Sequence, residues 1–166
     1  LYALGNIHLN NNDLNLALKC FEGVVDIPRI PDPSDNSIQT QVLQEEYEKI
    51  VMDSYQKIGQ IYRRLKNYPL AIETYKSISD KYPENAALQL EGEILTAETY
   101  VDQELYEKAL ELCTEVLDQA TNPRQIERAQ YSRAMAFLCL LIFEQARTDL
   151  ESIITENALN TLKSDA

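Results

Sequence analysis

The sequence predicts an all-α protein of about four helix-turn-helix units, and three observations point there. Apolar and polar residues hardly ever alternate at the period of a strand. Only four Gly and six Pro interrupt the 166 residues, and three of the prolines stand together as Pro28, Pro31 and Pro33. The remainder has few breakers, which suits helices joined by short turns. Finally, four stretches align on the alanines Ala17, Ala71, Ala109 and Ala146, and a recurring internal period decides architecture before local propensity does.

The alignment extends over both helices of each unit. Twelve residues before each alanine stands another small residue, Gly5, Gly59, Ala97 or Ala134, and three residues after those comes a ring, His8, Tyr62, Tyr100 or Phe137. Leu14, Tyr68, Tyr106 and Phe143 open the second helix three residues before the alanine. Four residues after it come Phe21, Tyr75, Cys113 and Leu150, and three further on Val24, Ile78, Val116 and Ile153. Spacings of three and four place these side chains on single helix faces, and the small residues permit close approach of the two helices. One pair cannot bury its apolar stripes alone, so stacked neighbours must supply the core.

Taken in order, the first unit covers about residues 1–27, with Leu1 already inside a first helix and a second helix from Leu14 to Asp26. The Pro-rich stretch beginning at Ile27 must end that helix. An inserted loop and helix extension fill 28–51. Asp35 or Ser37 can cap the new helix, and Leu43, Tyr47, Ile50, Ser54, Ile58, Ile61 and Leu65 continue an apolar stripe along it. One helix from about 38 to 65, roughly 40 Å long at 1.5 Å per residue, is expected, with a break near Lys49 as the alternative. The second, third and fourth units cover about 52–85, 86–122 and 123–157, the last two with first helices over about 86–103 and 123–141. Residues 158–166 read as the start of a further repeat or a capping helix, with Leu159 and Leu162 available to cover Ile153 and Ile154. Arrays of this kind need polar caps and both ends look cut, so the chain reads as part of a larger one.

The second unit carries Tyr55, Ile58-Gly59, Tyr62, Ala71, Tyr75 and Pro83, and on these residues the chain resembles the tetratricopeptide repeat family. Glu93 and Gln130 depart from its first aromatic, and Thr96 and Arg133 from its Leu. Successive alanines lie 54, 38 and 37 residues apart against about 34 in the family, and the longer units are similar to repeats of bacterial envelope proteins. The resemblance implies a right-handed helical solenoid that serves as a protein-protein interaction scaffold or adaptor, holding an extended peptide or a helix of a partner in a concave groove. Carried over position by position, that groove receives Asn6 and Leu9; Gln56, Gln60 and Arg63; Ile94, Glu98 and Val101; and Tyr131, Met135 and Leu138. The family's clamp for chaperone tails calls for Lys, Asn, Asn, Lys and Arg. Asn6 matches, whereas Tyr2, Lys57, Glu91 and Leu95 do not, so that ligand is not expected. Two other roles stand beside the scaffold: a self-assembling segment of a larger homo-oligomer, and a regulatory region attached to a catalytic domain elsewhere.

Composition excludes several functions. A net charge of −12 repels phosphate backbones, so nucleic acid is not an expected partner. The longest run free of charged and strongly polar residues is Ala134 to Phe143, ten residues against roughly 20 for a membrane span. Cys20, Cys113 and Cys139 form neither a disulfide framework nor a zinc pattern and read as buried thiols. They favour a reducing cytoplasm, while the long repeats favour a bacterial envelope.

No catalytic residues, metal or cofactor are expected. The only histidine, His8, occupies a ring position of the core, and no phosphate loop or nucleophile elbow is present. Nine carboxylates against one lysine between residues 86 and 119, and the basic run Lys57, Arg63, Arg64 and Lys66, read as solvated faces. One turn is anomalous. Leu140, Leu141 and Ile142 replace the polar turns of the other units, so either the helix runs on and tucks them inward, or they form an interface edge.

Overall fold

The computed structural model describes residues 1–27 and 38–164, with side chains over 1–27 and 41–156. Within them lie eight α-helices and no strand: α1 Tyr2–Asn10, α2 Leu14–Val25, α3 Ile38–Arg64, α4 Tyr68–Lys81, α5 Ala86–Asp102, α6 Tyr106–Gln119, α7 Pro123–Cys139 and α8 Phe143–Ser164. The Pro28–Pro33 stretch, the candidate caps Asp35 and Ser37, and the side chains of Leu159 and Leu162 lie outside the described residues. Helix α3 passes Lys49 without a break. Tyr47 on it donates from its hydroxyl to the Ile27 carbonyl at 2.7 Å, which ties the N-terminal half of α3 to the end of α2. Helix α8 runs through to Ser164. Residues 158–164 therefore lengthen the second helix of the fourth pair instead of opening a further one, a correction to the sequence reading.

Within each of the four pairs the two helices are joined by one repeated turn. Asn12, Lys66, Glu104 and Leu141, each five residues before an aligned alanine, take the left-handed conformation with φ of 62°, 56°, 62° and 62°. The turn residue donates its N–H to the carbonyl three residues back and the next residue to the carbonyl five back: Asn12 to Leu9 at 3.0 Å and Asp13 to His8 at 2.8 Å, repeated as Leu141 to Leu138 at 3.0 Å and Ile142 to Phe137 at 2.8 Å. These bonds satisfy carbonyls that a helix end would otherwise leave orphaned. The second helices α2 and α6 accordingly start without a side-chain cap. Where a new pair begins after a linker, a cap is present: Asn85 Oδ1 accepts from the Leu88 N–H at 3.2 Å, and Asn122 Oδ1 accepts from the Arg124 N–H at 3.0 Å, with Pro123 in the first turn.

The chain divides into two compact units, Leu1–Ile78 and Ser79–Ala166. In the first, Ala17, Phe21, Ile58 and Ile61 form a core on which Leu14, Leu18, Val25 and Tyr62 pack. A Cβ on Gly5 would stand 2.8 Å from the Phe21 ring and one on Gly59 only 2.2 Å from the Tyr75 ring, so glycine lets an aromatic residue pass between the helices. In the second unit the matching positions are Ala97 and Ala134, both fully buried, and the ring positions hold the smaller Cys113 and Leu150. Leu90, Ile94, Val116 and Ala129 make the core of that unit, and α7 packs on α5, α6 and α8.

Several polar residues enter these cores with partners. Thr96 and Thr99 donate to the Gly92 and Leu95 carbonyls at 2.8 and 2.7 Å. Arg133, at the family's Leu position, forms a two-bond fork with Asp149, Nε to Oδ2 at 2.8 Å and Nη2 to Oδ1 at 2.6 Å. Asp149 is buried, and this hydrogen bond raises the Arg133 pKa above its ordinary value despite partial burial.

Candidate partner-binding surface

The predicted contact residues lie on the first helix of each pair, and the two units hold them differently. In the first unit Asn6 on α1 and Gln56 and Arg63 on α3 are half-buried and Gln60 is exposed, while Leu9 packs on the core. Beside them is a polar cluster between α1 and α3. Tyr2 donates from its hydroxyl to Asp53 Oδ2 at 2.5 Å, Lys57 pairs with the same carboxylate, and the Lys57 ammonium lies 5.7 Å from the centre of the Tyr2 ring. Arg64 donates to Asn12 Oδ1 at 2.8 Å. Within the run Lys57 to Lys66, Lys57 and Arg64 are thus drawn toward different neighbours.

In the second unit Arg128 reaches from α7 to α5 and binds two carboxylates, Glu98 at 2.6 Å and Glu91. Burial works to lower its pKa, but the attraction of Glu98 and Glu91 outweighs that and leaves it above the ordinary value. Glu98 and Tyr131 come together with Arg124, Glu127, Arg128 and Ile153 around a concavity of about 370 Å³. Tyr131 is 55% exposed, and Met135, Leu138 and Val101 are half-buried. Ile94 is 1% exposed and belongs to the core. Its assignment to the groove is corrected, because the apolar residue at that position turns inward toward Val116 and Ala129.

Of the residues gathered here, Tyr2 and Glu91 stand at the clamp positions named above, while Asp53 and Arg128 were not expected at this surface. A signal for three of them exists, since Asp53, Glu91 and Arg128 each stand eighteen residues before an aligned alanine. That repeat position thus holds an acid on α3 and on α5 and a base on α7.

The anomalous turn keeps the geometry of the others, so its helix does not run on. Leu141 is 71% exposed, while Leu140 and Ile142 are half-buried, and an edge there would rest on Leu141 and the exposed Phe143. Cys20 and Cys113 are buried as expected, but Cys139 is exposed, because it closes α7 beside that turn. Burial pushes the Cys113 thiol up to about 12, so it is inert at neutral pH.

The repeated turn, the small residues between paired helices and the lateral packing of first helices define a helical-repeat protein. Family models described as tetratricopeptide repeat match residues 1–30 and 53–85, and the chain is a tetratricopeptide repeat protein. Repeats of this family generally mediate protein-protein interaction and are typically non-catalytic. Among curated proteins and among solved structures no significant match is found. No helix of the described residues is long and apolar enough to cross a membrane.

Proposed function

We propose that the chain is an interaction scaffold that holds an extended segment or helix of a partner protein along its first helices. The contact residues are Asn6, Gln56, Gln60 and Arg63 in the first unit and Glu98, Tyr131, Met135 and Leu138 in the second. The observation that carries this reading is Tyr131, a large aromatic more than half exposed at the rim of a concavity that Glu98, Glu127, Arg124 and Arg128 ring with both signs of charge. Aromatic anchors beside charged groups are the usual centres of binding energy. A matching partner segment presents an apolar side chain to Tyr131 with charged residues next to it.

The test is capture of partners with the full chain, followed by affinity measurements on variants. Tyr131→Ala is expected to weaken binding about 30-fold, corresponding to the roughly 2 kcal/mol of an interface anchor, and Arg63→Ala to weaken it measurably. Lys19→Ala, on the exposed side of α2, leaves the affinity unchanged. A partner indifferent to Tyr131 and Arg63 but lost on changing Lys19 would overturn the groove reading.

A further inference from the structure

Helix α3 outruns the helices beside it. It has 27 residues, whereas α2 has 12 and α4 has 14. Both pack on its C-terminal half: Ile58 and Ile61 share a core with Ala17 and Phe21 of α2, and Gly59 faces the Tyr75 ring of α4. The bond from the Tyr47 hydroxyl to the Ile27 carbonyl marks where α2 stops. Toward the N-terminus from there the helix is uncovered. Val42 and Leu43 are 49% and 52% exposed, and Ile50, at the boundary, is 39% exposed. This surface lies in the interior of the sequence and exists because α3 carries extra turns.

The exposed residues are ordered. Val42, Glu46 and Ile50 stand four residues apart, and Leu43, Tyr47 and Ile50 four and three apart, so they make two adjoining rows on one side of the helix. Ile27, held beside Tyr47 through its carbonyl, adds a further exposed apolar residue. Single exposed apolar side chains are ordinary, but a contiguous strip with a polar border marks an interaction site. The border here has one sign. Among the charged residues described from Asp26 to Ile50, Asp26, Glu45, Glu46 and Glu48 are acids and Lys49 is the base. Glu46 stands within the apolar row itself.

We propose that the N-terminal half of α3 docks an amphipathic helix of a partner protein, one with apolar residues at spacings of three and four and with Lys or Arg beside them. The partner's apolar side chains lodge against Val42, Leu43 and Ile50, ridge into groove, while its cations meet Glu45 and Glu46. The uncovered run begins at Ile38 and offers about 20 Å, or three to four turns. A second copy of this chain fits less well, because it brings the same acids to the contact and a net charge of −12 to each side. The inference is independent of the groove reading, since Gln56, Gln60 and Arg63 lie on the other half of α3.

The test titrates the full chain into labelled synthetic peptides of about four helical turns and follows fluorescence anisotropy. The first peptide has leucines at helical spacing flanked by lysines, the second has the same composition with its leucines scattered around the helix, and the third has glutamate for every lysine. The first is expected to bind at least about tenfold more tightly than either of the others. Leu43→Gln with Ile50→Gln, both at exposed positions, and separately Glu45→Gln with Glu46→Gln, should each weaken it about tenfold or more with an unchanged helical signal. Glu107→Gln with Glu111→Gln, exposed acids of α6, should leave it as it was. Equal binding of the scattered peptide, or an equal loss from the α6 pair, reduces the attraction to diffuse charge and overturns the proposal. So does a chain that binds none of the peptides. Sedimentation of the free chain adds one more outcome: a dimer that Leu43→Gln with Ile50→Gln dissolves gives the face to a second copy and overturns it too.

Discussion

Gly59 lies so close to Tyr75 that a methyl group there has no room, and Tyr75 is fully buried and cannot swing aside. Gly59→Ala is expected to cost about 1 to 3 kcal/mol, as overpacking does. Tyr75→Leu in the same chain should recover part of the loss, which thermal or urea unfolding of the double-mutant cycle will show. The Arg133–Asp149 fork behaves oppositely to a tight apolar contact. Removing Asp149 leaves the half-buried Arg133 without its partner, so Asp149→Ala should cost about 1 to 3 kcal/mol, whereas Arg133→Leu with Asp149→Cys, the residues found as Leu4 and Cys20 in the first pair, should be neutral or stabilising. Glu93 gives a pH dependence. Its Oε2 is buried without a hydrogen bond, and burial first, then the charge of Glu115, raises its pKa above the ordinary 4.5. Below 4.5 the carboxyl is protonated in the folded and the unfolded chain alike. As pH rises, the unfolded chain loses the proton first, so stability falls from 4.5 up to the raised folded value and is flat beyond it. Glu93→Gln, the residue that Gln130 provides at the same repeat position, should remove this slope and raise the melting temperature at neutral pH.

Among the elements, the four turns show one backbone geometry built from four different residues. A left-handed residue that is not glycine carries strain of roughly 1 to 2 kcal/mol, and Leu141 has no polar side chain to offset it. Leu141→Gly is expected to raise stability by up to about 1 kcal/mol, because strain relief exceeds the extra freedom of the unfolded chain; the same change at Asn12 should gain least, since Asn tolerates this conformation. Unfolding midpoints of the two variants make the comparison. Helices and pairing were legible in the sequence, because the spacing of Gly59, Tyr62, Ala71 and Tyr75 is imposed by one packed contact and recurs wherever that contact does. The geometry of the Leu140–Ile142 turn was not legible. Backbone hydrogen bonds from Leu141 and Ile142 hold it, and these are indifferent to side-chain identity. Nor did the sequence disclose the partners of surface charges. Arg128 joins two carboxylates 37 and 30 residues away, a contact that depends on how first helices lie side by side. Ile94 likewise looked like groove, because a helix face near the boundary of core and surface is decided by a modest rotation.

For the whole molecule, the charge of −12 acts as a diffuse self-repulsion that salt screens, while a buried fork such as Arg133–Asp149 is screened far less. The melting temperature is therefore expected to rise as sodium chloride is added at neutral pH, and a fall would mean that exposed ion pairs outweigh the repulsion. The match of sizes inside each helical pair reaches further, into how a gene for such an array can be lengthened. Glycine on the first helix answers Phe21 or Tyr75 on the second, and alanine answers Cys113 or Leu150. A genetic crossover in the linkers after α2, α4 or α6 carries whole matched pairs into the recombinant. One that falls within a left-handed turn sets the Ala97 methyl against a tyrosine ring, or leaves a hole between Gly59 and a cysteine. Duplication and exchange are thus confined to breakpoints between pairs, and the heritable module is the hairpin rather than the helix.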